Sequence, residues 1–270
     1  MKLPYRFSKN RVSLAGNPSA ATALIFVHGF GCNQSAWSDI VADFAADFRI
    51  VLYDTLGAEG DDLLGDPDRP ASYEAYAEEL VALCAALDIR QAIAVGHSAG
   101  AMVCALAALR EPARFSRLVM IGASPRYLDA EGYVGGFTPV QVDAMYRMAA
   151  MNLSKWATTF ATVMMDAAGK PRLSVDFAES LRLLPAGRVL TTLSMIFQSD
   201  YRAAVGKLTV PTLIVQTAND PAVPLVVALF LRETIRNSRL AIIDAEGHLP
   251  HVSAPATVIS AMREFLGDRG

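Results

Sequence analysis

The chain has 270 residues, 53% of them hydrophobic and 19% charged, a balance that excludes an intrinsically disordered protein and supplies core for one large domain or two small ones. Twenty-four basic against 27 acidic residues give a net charge of -3 with no long run of Lys or Arg, so the electrostatic footprint of a nucleic-acid binder is missing. Cys32, Cys84 and Cys104 form no C-x-x-C pair or Cys/His zinc cluster, and no apolar run of secretory length follows Met1-Lys2-Leu3-Pro4-Tyr5-Arg6; we expect free thiols in a cytoplasmic protein.

Apolar runs of strand length alternate with helical patterns along the chain. Ala23 to Val27 is followed by His28-Gly29-Phe30-Gly31 and a helical stretch beginning near Gln34. Arg49 to Tyr53 precedes helical spacing over Tyr73 to Leu87, and Ala92 to Val95 precedes a helix over Ala99 to Leu109. Although Ala92 to Leu109 approaches membrane-spanning length, its His97, Ser98 and glycines fit a strand, sharp turn and helix better, and no membrane partner is expected. After the strand Leu118 to Ile121 the alternation stops: Pro139 to Asn152, Leu153 to Ala167, Leu173 to Leu184 and Arg188 to Gln198 are four successive helical stretches. Strands return at Thr212 to Gln216 and Leu240 to Ile243. The pattern predicts an α/β fold, with a mostly parallel sheet covered on both faces. Residues 1–124 and 200–270 form its core, and 125–199 a helical lid over the edge where the strands end and ligands bind.

Gly96-His97-Ser98-Ala99-Gly100 carries the chemistry. A G-x-S-x-G between a strand and a helix holds its serine on a tight turn, where the helix N-terminus favours a developing anion, so Ser98 is the expected nucleophile. Motifs of this class place an acid and then a histidine later in the chain. His248, in Gly247-His248-Leu249-Pro250-His251, follows the last strand and is the expected base, with His251 read as structural. Asp220 follows the penultimate strand and is the expected acid, although an N-cap role would also suit it. Asp244 and Glu246 lie too close along the segment to hold the His248 ring from behind. The amides of Phe30 and Ala99 are the expected oxyanion donors, because the glycines flanking Phe30 let its backbone approach closely. Neither a metal nor an organic cofactor is required.

These residues resemble the α/β-hydrolase superfamily, and within it the RsbQ-like group, which includes plant karrikin and strigolactone receptors. The resemblance runs through His28-Gly29-Phe30-Gly31-Cys32-Asn33-Gln34-Ser35-Ala36-Trp37, the Ser98 turn, Gly122-Ala123-Ser124-Pro125-Arg126-Tyr127-Leu128, Gly135-Gly136-Phe137, Trp156-Ala157 and the Gly247 to His251 ending. It departs at Asp54-Thr55-Leu56-Gly57-Ala58-Glu59-Gly60-Asp61-Asp62, where the group usually reads Asp-x-x-Gly-x-Gly-x-Ser-Asp. In the lid, Phe137, Tyr146, Trp156, Phe160 and Phe197 accompany six of the ten methionines. Part of that set must be plain core. Phe30, Phe137, Trp156, Phe160, Phe197 and Leu249 are expected to line an adaptable apolar pocket for a small, largely apolar ester or lactone, with no charged residue placed to hold a carboxylate. The expected activity is ester or lactone hydrolysis. The resemblance also implies an alternative: a receptor or signalling regulator with slow hydrolysis, acting through a protein partner of sensor-phosphatase type.

Overall fold

A strand buried on both faces of a sheet has no polar side to keep, and the apolar runs of this chain occupy that position. The computed structural model describes Phe7 and residues 10–55, 71–165 and 170–267. Its strands are β1 (Ser13–Gly16), β2 (Ala23–Val27), β3 (Arg49–Leu52), β4 (Ala92–His97), β5 (Phe115–Ile121), β6 (Thr212–Asn219) and β7 (Ser238–Glu246), in spatial order β1-β3-β2-β4-β5-β6-β7. Only β1 runs antiparallel to its neighbour. The helices are α1 (Ser38–Phe44), α2 (Tyr73–Ala86), α3 (Ala99–Arg110), α4 (Pro139–Met151), α5 (Leu153–Met165), α6 (Pro171–Arg182), α7 (Ala186–Gln198), α8 (Arg202–Val205), α9 (Leu225–Thr234), α10 (Pro250–Ser253) and α11 (Pro255–Gly267). Among the described residues no helix is long and apolar enough to cross a membrane.

Alternation along β2 divides the core in two. Leu24 and Phe26 join Val95 and Ile121 against α1 and α11, through Ile40, Phe44, Val258 and Met262. Ile25 and Val27 face the opposite way, into the layer that contains Leu80 of α2 and Met102 and Val103 of α3. Trp37 closes one end of the first layer, its ring centroid 5.1 Å from that of Phe26.

The α/β architecture is the one expected, with differences in the extent of its elements. β1 has no counterpart among the expected strands: all four of its residues are exposed, so it lacks the apolar alternation by which a strand is recognised. β5, β6 and β7 run past their apolar runs, because backbone pairing continues through polar residues such as Thr217 and Asn219. The unusual turn after Asp54 lies outside the described residues beyond Thr55, as does the end of the helix expected to reach Ala167.

α4 to α7 are inserted between β5 and β6, and the two ends of the insertion are tied together. The Tyr201 N–H donates to the Pro125 carbonyl at 2.8 Å, and Arg126 pairs with Asp200 at 2.9 Å. Asp200, held also by Arg202, has its carboxyl pulled down to about 2, chiefly by that hydrogen bond.

Removing a large buried ring leaves a cavity as well as losing transfer energy. Phe26→Ala is expected to cost about 3–5 kcal/mol in urea unfolding. Leu14→Ala, at a β1 position 53% exposed, should stay within about 0.5 kcal/mol.

Candidate active site

β4 passes into α3 with a single residue between them, and this forces Ser98 to φ 53°, ψ -120°. An L-residue accepts a positive φ only under constraint, and the neighbours supply it. A Cβ at Gly96 would lie 2.5 Å from the Ala101 Cα, and one at Gly100 would lie 2.3 Å from the Val27 carbonyl oxygen. The Ser98 N–H is anchored on the Ile121 carbonyl at 2.8 Å, so the hydroxyl stands above the C-terminal ends of β4 and β5.

The structure brings together the three side chains expected there. Ser98 Oγ lies 2.8 Å from His248 Nε2, and His248 Nδ1 lies 2.9 and 3.0 Å from the two oxygens of Asp220. A carboxylate can only accept, so the His248 proton sits on Nδ1, and Nε2 is free to accept from the Ser98 hydroxyl. Asp220 is not the N-cap of α9, which is Pro224. Its Oδ1 accepts from the amides of Ala222 at 2.8 Å and Val223 at 3.0 Å, while Oδ2 accepts from Gln216 Nε2 at 3.2 Å. Its side chain is 1% exposed, and these donors together with His248 occupy both of its oxygens. Asp244 and Glu246 are exposed, and Glu246 instead accepts from Asn219.

Tyr127 is a member of this group that sequence reasoning passed over. Its hydroxyl lies 3.1 Å from Ser98 Oγ, and since the serine proton is directed at His248, Tyr127 is the donor. Burial pushes its phenol up, which preserves that proton. Only its place in the Gly122 to Leu128 stretch could have drawn attention to it.

The other histidines stay uncharged beneath the site. His97 donates from Nε2 to the His248 carbonyl at 2.8 Å, and His251 lies with its ring centroid 4.3 Å from that of His97 and 4.5 Å from that of Trp37. Burial, reinforced by the neighbouring imidazoles, holds His97 well below its usual value and pulls His251 down to about 3. His28 is lowered too, mainly by burial; its Nε2 accepts from the Thr55 N–H at 3.0 Å.

The loop carrying Phe30 abuts Ser98: a Cβ at Gly29 would lie 3.1 Å from the Ser98 Cβ and 2.6 Å from His97 Nδ1. Ala99 opens α3, where an N–H has no intrahelical acceptor. Above Ser98 and His248 is a cavity of about 40 Å³ whose walls include Phe30, Phe137, Phe160, Phe197 and Leu249. Trp156, expected in that wall, stands one layer behind it: its ring stacks on Phe160 at 4.9 Å between centroids, and Phe160 takes the wall position. Met164, one of the six lid methionines, also lines the cavity, and Phe177, Leu193 and Ile196 line it without having been expected there. A second cavity of about 50 Å³ lies on the other side of Phe30 and is bordered by Arg188, a charged residue near the site that the sequence did not point to.

The family model described as alpha/beta hydrolase fold matches residues 22–255. The chain is 36% identical to the "Probable esterase D14L" of Oryza sativa subsp. japonica, over 90% of each chain. It is 32% identical to the "Karrikin insensitive 2 receptor CA" of Petunia hybrida, over 92% of this chain and 93% of that one. Among solved structures, a hydrolase from Oleispira antarctica superposes with a TM-score of 0.91 at 26% identity, covering 98% of this chain and 97% of that chain.

The buried neutral imidazoles dictate the sign of a pH effect. His251 is depressed when folded, so below about pH 6.5 the unfolded chain takes up a proton that the folded one refuses, and stability falls with pH toward about pH 3. His251→Phe should flatten the slope of unfolding free energy by up to about 1.4 kcal/mol per pH unit between about pH 6 and pH 4, measured by urea titration.

Proposed function

The chain belongs to the α/β-hydrolase family, and we propose that it is a serine hydrolase that cleaves a small, largely apolar ester or lactone through Ser98, His248 and Asp220. The observation that carries this reading is the unbroken hydrogen-bond chain from Asp220 through His248 to Ser98, ending at the floor of an aromatic cavity. His248 Nε2 takes the hydroxyl proton as Ser98 Oγ attacks the carbonyl carbon, and the carbonyl electron pair moves onto oxygen. The amides of Phe30 and Ala99 hold that oxyanion, a contribution that typically amounts to 10²- to 10³-fold in rate per donor. Collapse expels the alcohol, which takes the proton from His248 and leaves an acyl-Ser98 ester. Water, deprotonated by the same nitrogen, then releases the acid. Asp220 remains ionised and stabilises the imidazolium that forms in each half.

The cavity supports the choice of substrate, because its walls over Ser98 are almost wholly hydrocarbon. Relatives named "Strigolactone esterase RMS3" from Pisum sativum and "3-oxoadipate enol-lactonase 1" from Acinetobacter baylyi, 36% and 22% identical, support ester and lactone chemistry. The receptor named among the relatives favours a second reading. In it, ligand capture or slow hydrolysis alters the surface of the inserted lid helices, and a protein partner of sensor-phosphatase type responds. Turnover separates the two: a metabolic esterase reaches about 1 to 10³ per second on its substrate, and a signalling protein falls far below that range.

Ser98→Ala should lower hydrolysis of para-nitrophenyl acetate by about 10⁴- to 10⁶-fold with the circular-dichroism spectrum unchanged, and Asp220→Asn by about 10⁴-fold. Retention of activity by Ser98→Ala contradicts the reading. Phe160→Ala, which removes a wall of a cavity of about 40 Å³, should shift kcat/KM toward longer acyl chains by about tenfold between acetate and hexanoate esters.

A further inference from the structure

The backbone that carries His248 has four polar groups at Gly247 and His248, and each has its own partner. The Gly247 N–H donates to the Asn219 carbonyl at 3.0 Å, and the Gly247 carbonyl accepts from Thr217 Oγ at 2.8 Å. The His248 carbonyl accepts from His97 Nε2 at 2.8 Å. These three ties come from β4 and β6, in the rigid sheet. The fourth does not: the His248 N–H donates at 2.7 Å to the carbonyl of Met164, in α5. Gly247 makes this contact possible. It sits at φ 82°, and a Cβ there would lie 2.0 Å from the Met165 carbonyl oxygen.

The loop that carries Phe30 has a comparable tie to the lid. Ser180 Oγ on α6 donates to the Gly31 carbonyl at 2.6 Å, sharing its proton with the Phe177 carbonyl at 2.8 Å. Gly31 sits at φ 75°, and a Cβ on it would lie 2.4 Å from Leu181 Cδ2 of the same helix. Lys170 adds a third tie, from Nζ to the Ser253 carbonyl of α10 at 2.6 Å.

We propose that α5 and α6 complete the catalytic geometry, with Gly247 and Ser180 as positioning residues: α5 fixes the backbone of the base, and α6 fixes the loop that supplies the oxyanion donor. This rests on the reading of Ser98 and His248 as nucleophile and base. A lid that swings away to admit substrate withdraws one of the four ties on His248 and the Ser180 bond on Gly31, so the site is fully assembled only when the lid is down. The lid is then part of the reaction centre as well as its cover, and events on its surface reach the base through one hydrogen bond.

The first test is amide hydrogen exchange of the wild-type protein followed by NMR. The His248 amide should exchange at the rate of the α5 amides, since both open together. The second test is kinetic: Gly247→Ala and Ser180→Ala should each lower kcat for para-nitrophenyl acetate by at least about tenfold with KM within about twofold, because displacement of catalytic groups by about 1 Å is felt mainly in the chemical step. Ser180→Thr, which keeps the hydroxyl, should restore most of the loss. A His248 amide as protected as those of β7 while α5 exchanges faster overturns the proposal, and so does wild-type kcat in both variants. Activity retained by Ser98→Ala instead overturns the hydrolase reading and leaves the exchange result standing.

Discussion

The backbone of Ser98 is the constraint on which the site depends. A positive φ in a non-glycine residue is costly in isolation, and it persists here because β4 on one side and α3 on the other are both locked into the core. The alanine-rich face of α3 and the glycines at 96 and 100 follow from the same constraint, since α3 can start directly behind the strand only if nothing larger stands between it and β2. Once that turn is set, the rest is placed relative to it. Gly29 must be a glycine because it lies against His97 and Ser98, and the carboxylate at the end of β6 lies within reach of the imidazole that follows β7 because β6 and β7 are adjacent and parallel, with a one-residue register shift between Thr217 and Asn219.

Electrostatics in this interior runs two ways. The Asp220 carboxylate is met by two amides, a glutamine and the His248 imidazole, whereas His28, His97 and His251 are held neutral by burial. A neutral His97 has one N–H to give, and it goes to the carbonyl of His248. His248 is thus fixed at its side chain by the Asp220 carboxyl and at its backbone by uncharged donors and acceptors, an arrangement that leaves Nε2 directed at Ser98.

Much of the fold was legible in the sequence because central parallel strands are continuous apolar runs, and β2 was located to its end residues by that signal alone. β1 was not legible, since four exposed residues at a sheet edge carry no pattern. Ser98, Asp220 and His248 were expected together because topology restricts such groups to strand ends in a fixed chain order, and the structure places them within hydrogen-bond reach of one another. The pocket was harder. Trp156 and Phe160 are four apart on α5 and so share a face, and spacing cannot say which ring meets the cavity and which lies behind it. Tyr127 comes from a loop whose path depends on tertiary packing, and the tie from Met164 to His248 is made by a carbonyl oxygen, which every residue possesses and no sequence pattern marks.

The most direct test of the central claim is rapid-quench mass spectrometry of the wild-type protein mixed with para-nitrophenyl acetate, followed by peptide mapping. The account predicts one acetyl group per chain, on Ser98, formed as para-nitrophenol is released and lost as acetate appears, and none on a His248→Ala variant. Turnover of the ester with no acetyl group on Ser98, or with acetylation that maps elsewhere and keeps pace with product, would contradict it.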